Sequence, residues 1–458
     1  MIWKVCCCLL SCMIFSSIGF ANPTKDNENQ YFQSLRKEFP YLQKNPSYIY
    51  LDSGATSQKP RQVIETMKNF DESEYATVHR AGYKKGIEST RKYYAVRRKV
   101  QAFLNARSSD EIIFTRGTTD SINMLAISFG RSFINEGDEI IISEMEHHSN
   151  IIPWQILCKE KKACLKYIPI NDNGEIIFEE YEKLLSTKTK LVSIAHMANT
   201  TGTINPISDI IRKAHKVGAK VLIDGAQAAA HLPVDVRSLD ADFYVFSSHK
   251  IYGPTGLGIL YGKKHLLENM PSPQGGGTMG QKVTMDEFIA KDLPLKFEAG
   301  TPPITQVIGL GEAIDFLERI GRKRIEQREH ALLVYATEKM QKIPKLKIIG
   351  KAQQKGGLIC FSVDGLRPLD IEEFMDKKEI AVRSGYFCAQ PTMRRMGIPG
   401  GVRISFGVYN TYDEIDNFFD SLIEATEKLP SFYPKVKSCT SQNAEDEYID
   451  SEGPESWY

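Results

Sequence analysis

Three apolar runs in this chain each end in groups able to do chemistry. The run 221–224 ends in the carboxylate of Asp224 and continues into Gly225, Ala226 and Gln227. The run 243–247 ends in the Ser247 hydroxyl and leads into Ser248, His249 and Lys250, and the run 139–143 leads into Glu144, Met145, Glu146, His147 and His148. Taken singly, each has an ordinary explanation. An Asp after a strand usually caps a helix or turn, and a Lys there is usually a solvated exit. The His-His pair could suggest a metal, yet it lacks both HExxH spacing and a third ligand nearby, so no metal site is assigned. Together they fit one chemistry. An amine able to form an imine, a carboxylate about one strand away and a flat imidazole for stacking are what a pyridoxal phosphate site requires. The carboxylate keeps the pyridine nitrogen protonated, so the ring accepts electrons. The phosphate needs hydroxyls and backbone N–H groups where a strand turns into a helix, which Arg116, Gly117, Thr118 and Thr119 supply.

The elements that must position these groups alternate in type. Strands are expected at 111–115, 139–143, 191–196, 221–224, 243–247 and 258–261, with helices such as 206–217 between some of them. This alternation predicts an α/β fold with a mainly parallel sheet covered by helices on both faces, whose ligand lies at the carboxyl ends of the strands. A short strand at 48–52 precedes it. Residues 311–342 read as a long charged connecting helix. Beyond it, strands at 358–363, 380–383 and 402–406 and helices at 369–378 and 412–428 make a smaller C-terminal α+β lobe. The expected organisation is a targeting segment at 1–21, a large domain at 31–310 whose arm 31–50 packs on the small lobe, a connecting helix and small domain at 311–430, and an acidic disordered tail at 435–458.

Composition narrows the classes. In 458 residues, 58 Lys and Arg face 57 Asp and Glu, so no global basic field exists to hold nucleic acid. Of nine cysteines, Cys6, Cys7, Cys8 and Cys12 crowd the start, leaving Cys158, Cys164, Cys360, Cys388 and Cys439. These five make neither a disulfide framework nor zinc-ligand spacing, so a functional cysteine would act as a nucleophile. Lys4 followed by an apolar run from Val5 to Phe20, with small Gly19 and Ala21, reads as a signal-like leader too short for a confident membrane span. Export or organelle targeting is expected from it, with a cytoplasmic protein as the alternative.

The motifs carry a resemblance. They are Leu-Asp-Ser-Gly-Ala-Thr-Ser-Gln-Lys-Pro at 51–60, Arg-Gly-Thr-Thr-Asp at 116–120, Met-Glu-His-His at 145–148, Asp-Gly-Ala-Gln at 224–227, Ser-Ser-His-Lys-Ile-Tyr-Gly-Pro at 247–254, Phe-Glu-Ala-Gly-Thr-Pro at 297–302 and Arg-Ser-Gly-Tyr-Phe-Cys-Ala at 383–389. In this order the chain, over about residues 31–429, resembles a class V, fold-type I pyridoxal phosphate enzyme of the Suf-type (group II) cysteine desulfurases.

The resemblance implies an enzyme converting L-cysteine to L-alanine with a persulfide on Cys388, supplying sulfur for iron–sulfur cluster assembly. Lys250 would carry pyridoxal 5'-phosphate as an imine and shuttle the Cα proton. Asp224 would pair with the pyridine nitrogen, Gln227 with the ring hydroxyl, and His147 would stack on the ring and act in proton transfer. Thr119, Ser247 and His249 would hold the phosphate, joined by Gly300 and Thr301 of a neighbouring subunit in a homodimer. Asn199 and Arg403 would bind the substrate carboxylate, with Arg383 and His79 also in the substrate site. Only 14 residues separate Cys388 from Arg403, which resembles the short-loop group and implies a small sulfur-acceptor protein.

The chain departs from the pattern at 81–86 and at Tyr386 and Phe387. The latter pair is expected to make the surroundings of Cys388 more apolar and so disfavour a thiolate. Two alternatives are kept: a selenocysteine lyase or cysteine sulfinate desulfinase, and a catalytically weak sulfur-carrier scaffold of the same fold.

Overall fold

A computed structural model describes residues 25–431. The leader at 1–21 with its four cysteines, and the tail at 435–458 with Cys439, lie outside the described residues. Seven strands form the central sheet, in the spatial order Ile112–Thr115, Gly258–Gly262, Phe243–Ser247, Lys220–Asp224, Thr189–Ala195, Glu139–Ser143 and Cys164–Ile168. Gly258–Gly262 runs antiparallel to both neighbours and the remaining pairs are parallel. Successive residues face two different apolar clusters. Val221, Ile223, Tyr244 and Phe246 join one, while Leu222, Phe243 and Val245 join the other. Both faces are covered, which is why these strands are continuous apolar runs. Polarity arrives at their carboxyl ends, in Asp224 and Ser247.

The edge strand Cys164–Ile168 was not expected from the sequence. Its outer face meets solvent, so its Cys-Leu-Lys-Tyr-Ile pattern carries little apolar signal. The expected single helix at 311–342 is two, Ile304–Ile320 and Arg322–Met340. They meet at Gly321, whose φ of +91° no ordinary L-residue adopts cheaply. The first packs closely on its neighbours: a Cβ added at Gly311 would lie 2.6 Å from the Val96 side chain.

The small lobe holds an antiparallel sheet in the order Leu346–Ile349, Leu358–Val363, Gly401–Ser405, Arg383–Gly385. The expected strand at 380–383 divides between two sheets. Ile380–Ala381 pairs in parallel with Ile49–Tyr50, and Arg383–Gly385 pairs with Gly401–Ser405. Leu346–Ile349 is a second unexpected edge strand. Helix Tyr412–Lys428 covers the lobe and starts with a capping box between Thr411 and Glu414.

The N-terminal arm packs on both lobes. Phe32, Leu35, Phe39 and Leu42 enter the large core, with the Phe39 ring 4.8 Å from that of Tyr409, whereas Ile49 and Leu51 enter the small-lobe core. The chain then crosses between lobes as a strap. Gly54 N–H donates to Ser405 Oγ (2.7 Å), Gly54 O accepts from Gln227 Nε2 (2.7 Å), and Ser57 N–H donates to His249 O (3.0 Å).

A buried ion pair fixes the far side. Arg97 Nη1 and Nη2 reach Glu298 Oε1 and Oε2 at 2.7 and 2.8 Å, and Oε1 also accepts from Phe114 N–H at 2.8 Å. Glu298→Ala leaves a guanidinium buried without its carboxylate, so the denaturant-unfolding midpoint is expected to fall by the equivalent of about 3 to 5 kcal/mol. A loss below about 1 kcal/mol would contradict this.

Candidate active site

Neighbouring parallel strands bring Lys250 and Asp224 together. Asp224 sits opposite Val245 in the strand register, and the chain after Ser247 turns through Ser248–Lys250, which leaves the amine within electrostatic reach of the carboxylate. Burial is the main force on both. It pulls the Lys250 amine down to about 8, helped by Arg403 and Arg383 and opposed by Asp224 and Cys388. It pushes the Asp224 carboxyl up, against the Ala226 N–H that donates to it at 2.9 Å and the charge of Lys250. His147 stands on the loop after Glu139–Ser143. Burial, then Lys250, His148 and Arg403, hold its imidazole down at about 4. Ser149 N–H donates to His147 Nδ1 at 3.1 Å. At neutral pH the ring is therefore uncharged, with its lone pair at Nδ1 and its proton at Nε2.

Next to this group lies a cavity of about 590 Å³ at the start of helix Thr118–Leu125, lined by Thr118, Thr119, Asn123, Ser247 and His249 among others. Four of these were expected from the sequence, and Asn123 was not. Thr118 is bonded to Ser247 Oγ through both its N–H (2.9 Å) and its hydroxyl (2.8 Å), while Thr119 Oγ1 meets Ser149 Oγ at 2.7 Å. Backbone crowding explains the glycines: a Cβ on Gly258 would come 2.4 Å from Gly117 Cα. Hydroxyls, imidazole and a helix N-terminus around a space next to a depressed lysine amine fit a phosphorylated aldehyde such as pyridoxal phosphate. In this structure Gln227, expected at the ring hydroxyl, donates its amide to the strap at Gly54 O.

On the small-lobe side, Arg403 is buried. Its Nη1 donates to Asn199 O (2.9 Å), its Nη2 to Asp52 Oδ1 (3.0 Å), and its Nε has no hydrogen-bond partner. Arg383 Nε reaches Asp52 Oδ2 at 3.2 Å. Asn199 Nδ2 donates to Phe387 O at 2.7 Å, so the residue expected at the substrate carboxylate also ties down the cysteine loop. Cys388 is exposed, and its carbonyl accepts from His148 N–H at 2.7 Å. Phe387 and Cys388 both have φ of +54°. Two successive non-glycine residues in the left-handed region store strain. The expected apolar environment of the thiol is not formed. The Phe387 ring points inward, onto Ile349, Cys360 and Met393 and 5.2 Å from the Arg403 guanidinium, leaving Cys388 facing solvent.

Other expected site residues stand apart. Gly300 and Thr301 do not line the phosphate cavity of their own chain, and Gly300 N–H donates to Gly277 O at 2.8 Å. His79 packs edge-on against Tyr93 and Tyr94, with its Nε2 buried and without a partner. Sequence reasoning missed Asp52, which ends a recognised strand as Asp224 does. It also missed Glu146, whose carboxylate is buried beneath His147 and takes hydrogen bonds from Ser143, Asn150 and Ala195.

Lysine and carboxylate at the carboxyl ends of adjacent strands, under a mainly parallel sheet, define the class: the aminotransferase class-V family model matches residues 49–418, and the chain belongs to that family. Within it the chain groups with the cysteine desulfurases. It is 44% identical to a probable cysteine desulfurase of Halalkalibacterium halodurans, over 88% of this chain and 98% of that protein. It is 43% identical to a probable cysteine desulfurase of Mycolicibacterium paratuberculosis over 86% of this chain, and spans 58% of that longer relative. The crystal structure of the cysteine desulfurase CsdA from Escherichia coli, in an S-sulfonic acid form, superposes with a TM-score of 0.82 at 37% identity, covering 87% of this chain and 99% of that one.

Capture of an aldehyde by Lys250 needs the neutral amine, whose proton leaves near pH 8. Below that, each unit of pH removes about tenfold of the neutral form. The rate at which coenzyme-free protein takes up pyridoxal phosphate, followed by visible absorbance, is expected to rise about tenfold between pH 6 and pH 7 and to flatten above about pH 8.5. A rate level from pH 6 to pH 8 would contradict the depressed amine.

Proposed function

We propose that the chain is a pyridoxal phosphate-dependent cysteine desulfurase of the Suf type, turning L-cysteine into L-alanine and a persulfide on Cys388. The observation that carries this is the placement of an exposed thiol on a strained turn, tied through Asn199 and His148 to the lobe that holds Lys250. Lys250, Asp224, Gln227, His147, Thr119, Ser247 and His249 would hold the coenzyme. When bound, it supplies an electron sink for the carbon attached to the substrate amine. The protein's residues do the rest. Arg403, with its spare buried donor, anchors the substrate carboxylate. The Lys250 amine, poised near neutrality, moves the Cα proton. The uncharged imidazole of His147 offers a proton at Nε2. The Cys388 thiolate attacks the substrate sulfur: the S–S bond forms, the C–S bond breaks, and the carbon takes the electron pair and then a proton to leave as alanine.

The intact set Lys250, Asp224 and His147 favours turnover over a sulfur-carrier scaffold. A homodimer follows from the same reading. Gly300 and Thr301, which do not line their own chain's phosphate cavity, would serve a neighbour's, and the hairpin Gly280–Val283 and Phe288–Ala290, joined to them through Gly277, exposes Val283, Met285, Phe288 and Ile289 as a surface for that neighbour. The short cysteine loop suits delivery of sulfur to a small acceptor protein for iron–sulfur cluster assembly. Among the described residues no helix is long and apolar enough to cross a membrane. Residues 1–21 act in this reading as a targeting leader to a compartment where thiols stay reduced.

Purified protein given L-cysteine is expected to release alanine and to gain the mass of one sulfur on the peptide containing Cys388. Cys388→Ala should cut L-cysteine turnover by more than about a hundredfold while the visible absorbance of the coenzyme is kept. Full turnover in Cys388→Ala would remove the nucleophile assignment.

A further inference from the structure

His249 lines the phosphate cavity, and because a phosphate dianion offers only acceptors, an imidazole can serve it only with a proton on the nitrogen that meets it. Burial, then the charges of Lys250 and Lys59, hold this ring down at about 4, so at neutral pH it carries a single proton. The strap decides which nitrogen keeps it. His249 Nδ1 lies 3.2 Å from Thr56 Oγ1, whereas Nε2 has no hydrogen-bond partner among the described residues. The Thr56 hydroxyl has one proton and two acceptors in reach, Nδ1 and, also at 3.2 Å, the His249 carbonyl. That carbonyl is already served. Ser57 donates to it through its N–H and its hydroxyl, both at 3.0 Å, and the hydroxyl proton is free to do so because its oxygen accepts from Tyr252 N–H at 2.8 Å. Two donors fill the two lone pairs of a carbonyl, so the Thr56 proton goes to Nδ1 and the ring proton stays at Nε2. Thr56 is itself anchored by its backbone, whose carbonyl accepts from the Tyr50 hydroxyl at 2.9 Å.

We propose that Thr56 is a positioning residue for the phosphate end of the coenzyme site: through Nδ1 it fixes His249 as an uncharged hydrogen-bond donor at Nε2, with Ser57 occupying the competing acceptor. The proposal rests on the reading of His249 as a residue that holds the phosphate. The group recognised in this way is a phosphate monoester dianion, and the recognition places no further cation beside Lys250. A segment of the N-terminal strap thus acts on the coenzyme through His249, and its effect is confined to ligands that carry the phosphate.

The test titrates pyridoxal phosphate, and pyridoxal, which lacks the phosphate, into coenzyme-free full-length protein and follows visible absorbance. In Thr56→Val, which keeps the shape and loses the hydroxyl, the dissociation constant of pyridoxal phosphate is expected to rise about fivefold relative to that of pyridoxal. Thr56→Ser restores the hydroxyl and is expected to restore the ratio. Nitrogen-15 spectra of histidine-labelled protein, with the His249 signals assigned by their loss in His249→Gln, are expected to show the proton on Nε2 in the wild type and a larger share on Nδ1 in Thr56→Val. Equal changes for both ligands in Thr56→Val, as a purely structural role of the strap predicts, overturn the proposal, and so does a wild-type ring protonated at Nδ1. If Thr56→Val gives no soluble protein, the wild-type spectrum decides alone. An unchanged ratio of the two constants in His249→Gln would instead remove the reading of His249 on which this rests.

Discussion

The electrostatic coupling of a desolvated amine, Lys250, to a buried carboxylate, Asp224, is the constraint around which the molecule is arranged. Burial penalises the charged form of each, and each partly relieves the other. Such a pair can exist only where surrounding atoms are dry and fixed. The sheet provides this by covering both faces with apolar clusters, so that the carboxyl ends of its strands are where polar groups gather. The same desolvation keeps His147 uncharged, which places a third proton-handling group at the site without adding a second cation beside Lys250.

The small lobe answers with geometry of a different kind. Its strand Gly401–Ser405 buries Arg403, and its loop carries Cys388 on backbone that only surrounding hydrogen bonds can hold. Asn199 links the two, accepting from Arg403 through its carbonyl and donating to Phe387 through its amide. A side chain that would hold the substrate's carboxylate is thus one residue removed from the thiol that would take its sulfur.

Much of this could be read from the residues. The strand Phe243–Ser247 and the helix Tyr412–Lys428 stand at the bounds their patterns predict, because an unbroken apolar run and a 3.6-residue repeat with a Thr411 to Glu414 cap leave little choice. Elements were missed where one side faces water, as in Cys164–Ile168 and Leu346–Ile349. The division of 380–383 between two sheets depends on the arrival of Ile49–Tyr50, which no local pattern announces. Similarly, the direction of the Phe387 side chain follows from a positive φ that the residue type argues against. Most residues of the site were legible because strand ends expose them. Asp52 was not, since its partners Arg383 and Arg403 lie more than three hundred positions further along the chain.

That separation bears on how the molecule comes into being. Ile49–Tyr50 finds its strand partner at Ile380–Ala381, and Asp52 bridges to Ser405, so the early strap can be seated only after nearly the whole chain has been synthesised. Closing so long a loop costs entropy that local contacts cannot repay in advance. The arm at Phe32–Leu42 has partners in the large core, but Ile49–Tyr50 and Asp52 find theirs only once residues 380–405 exist, so the wall of the crevice that they build depends on both halves of the polypeptide.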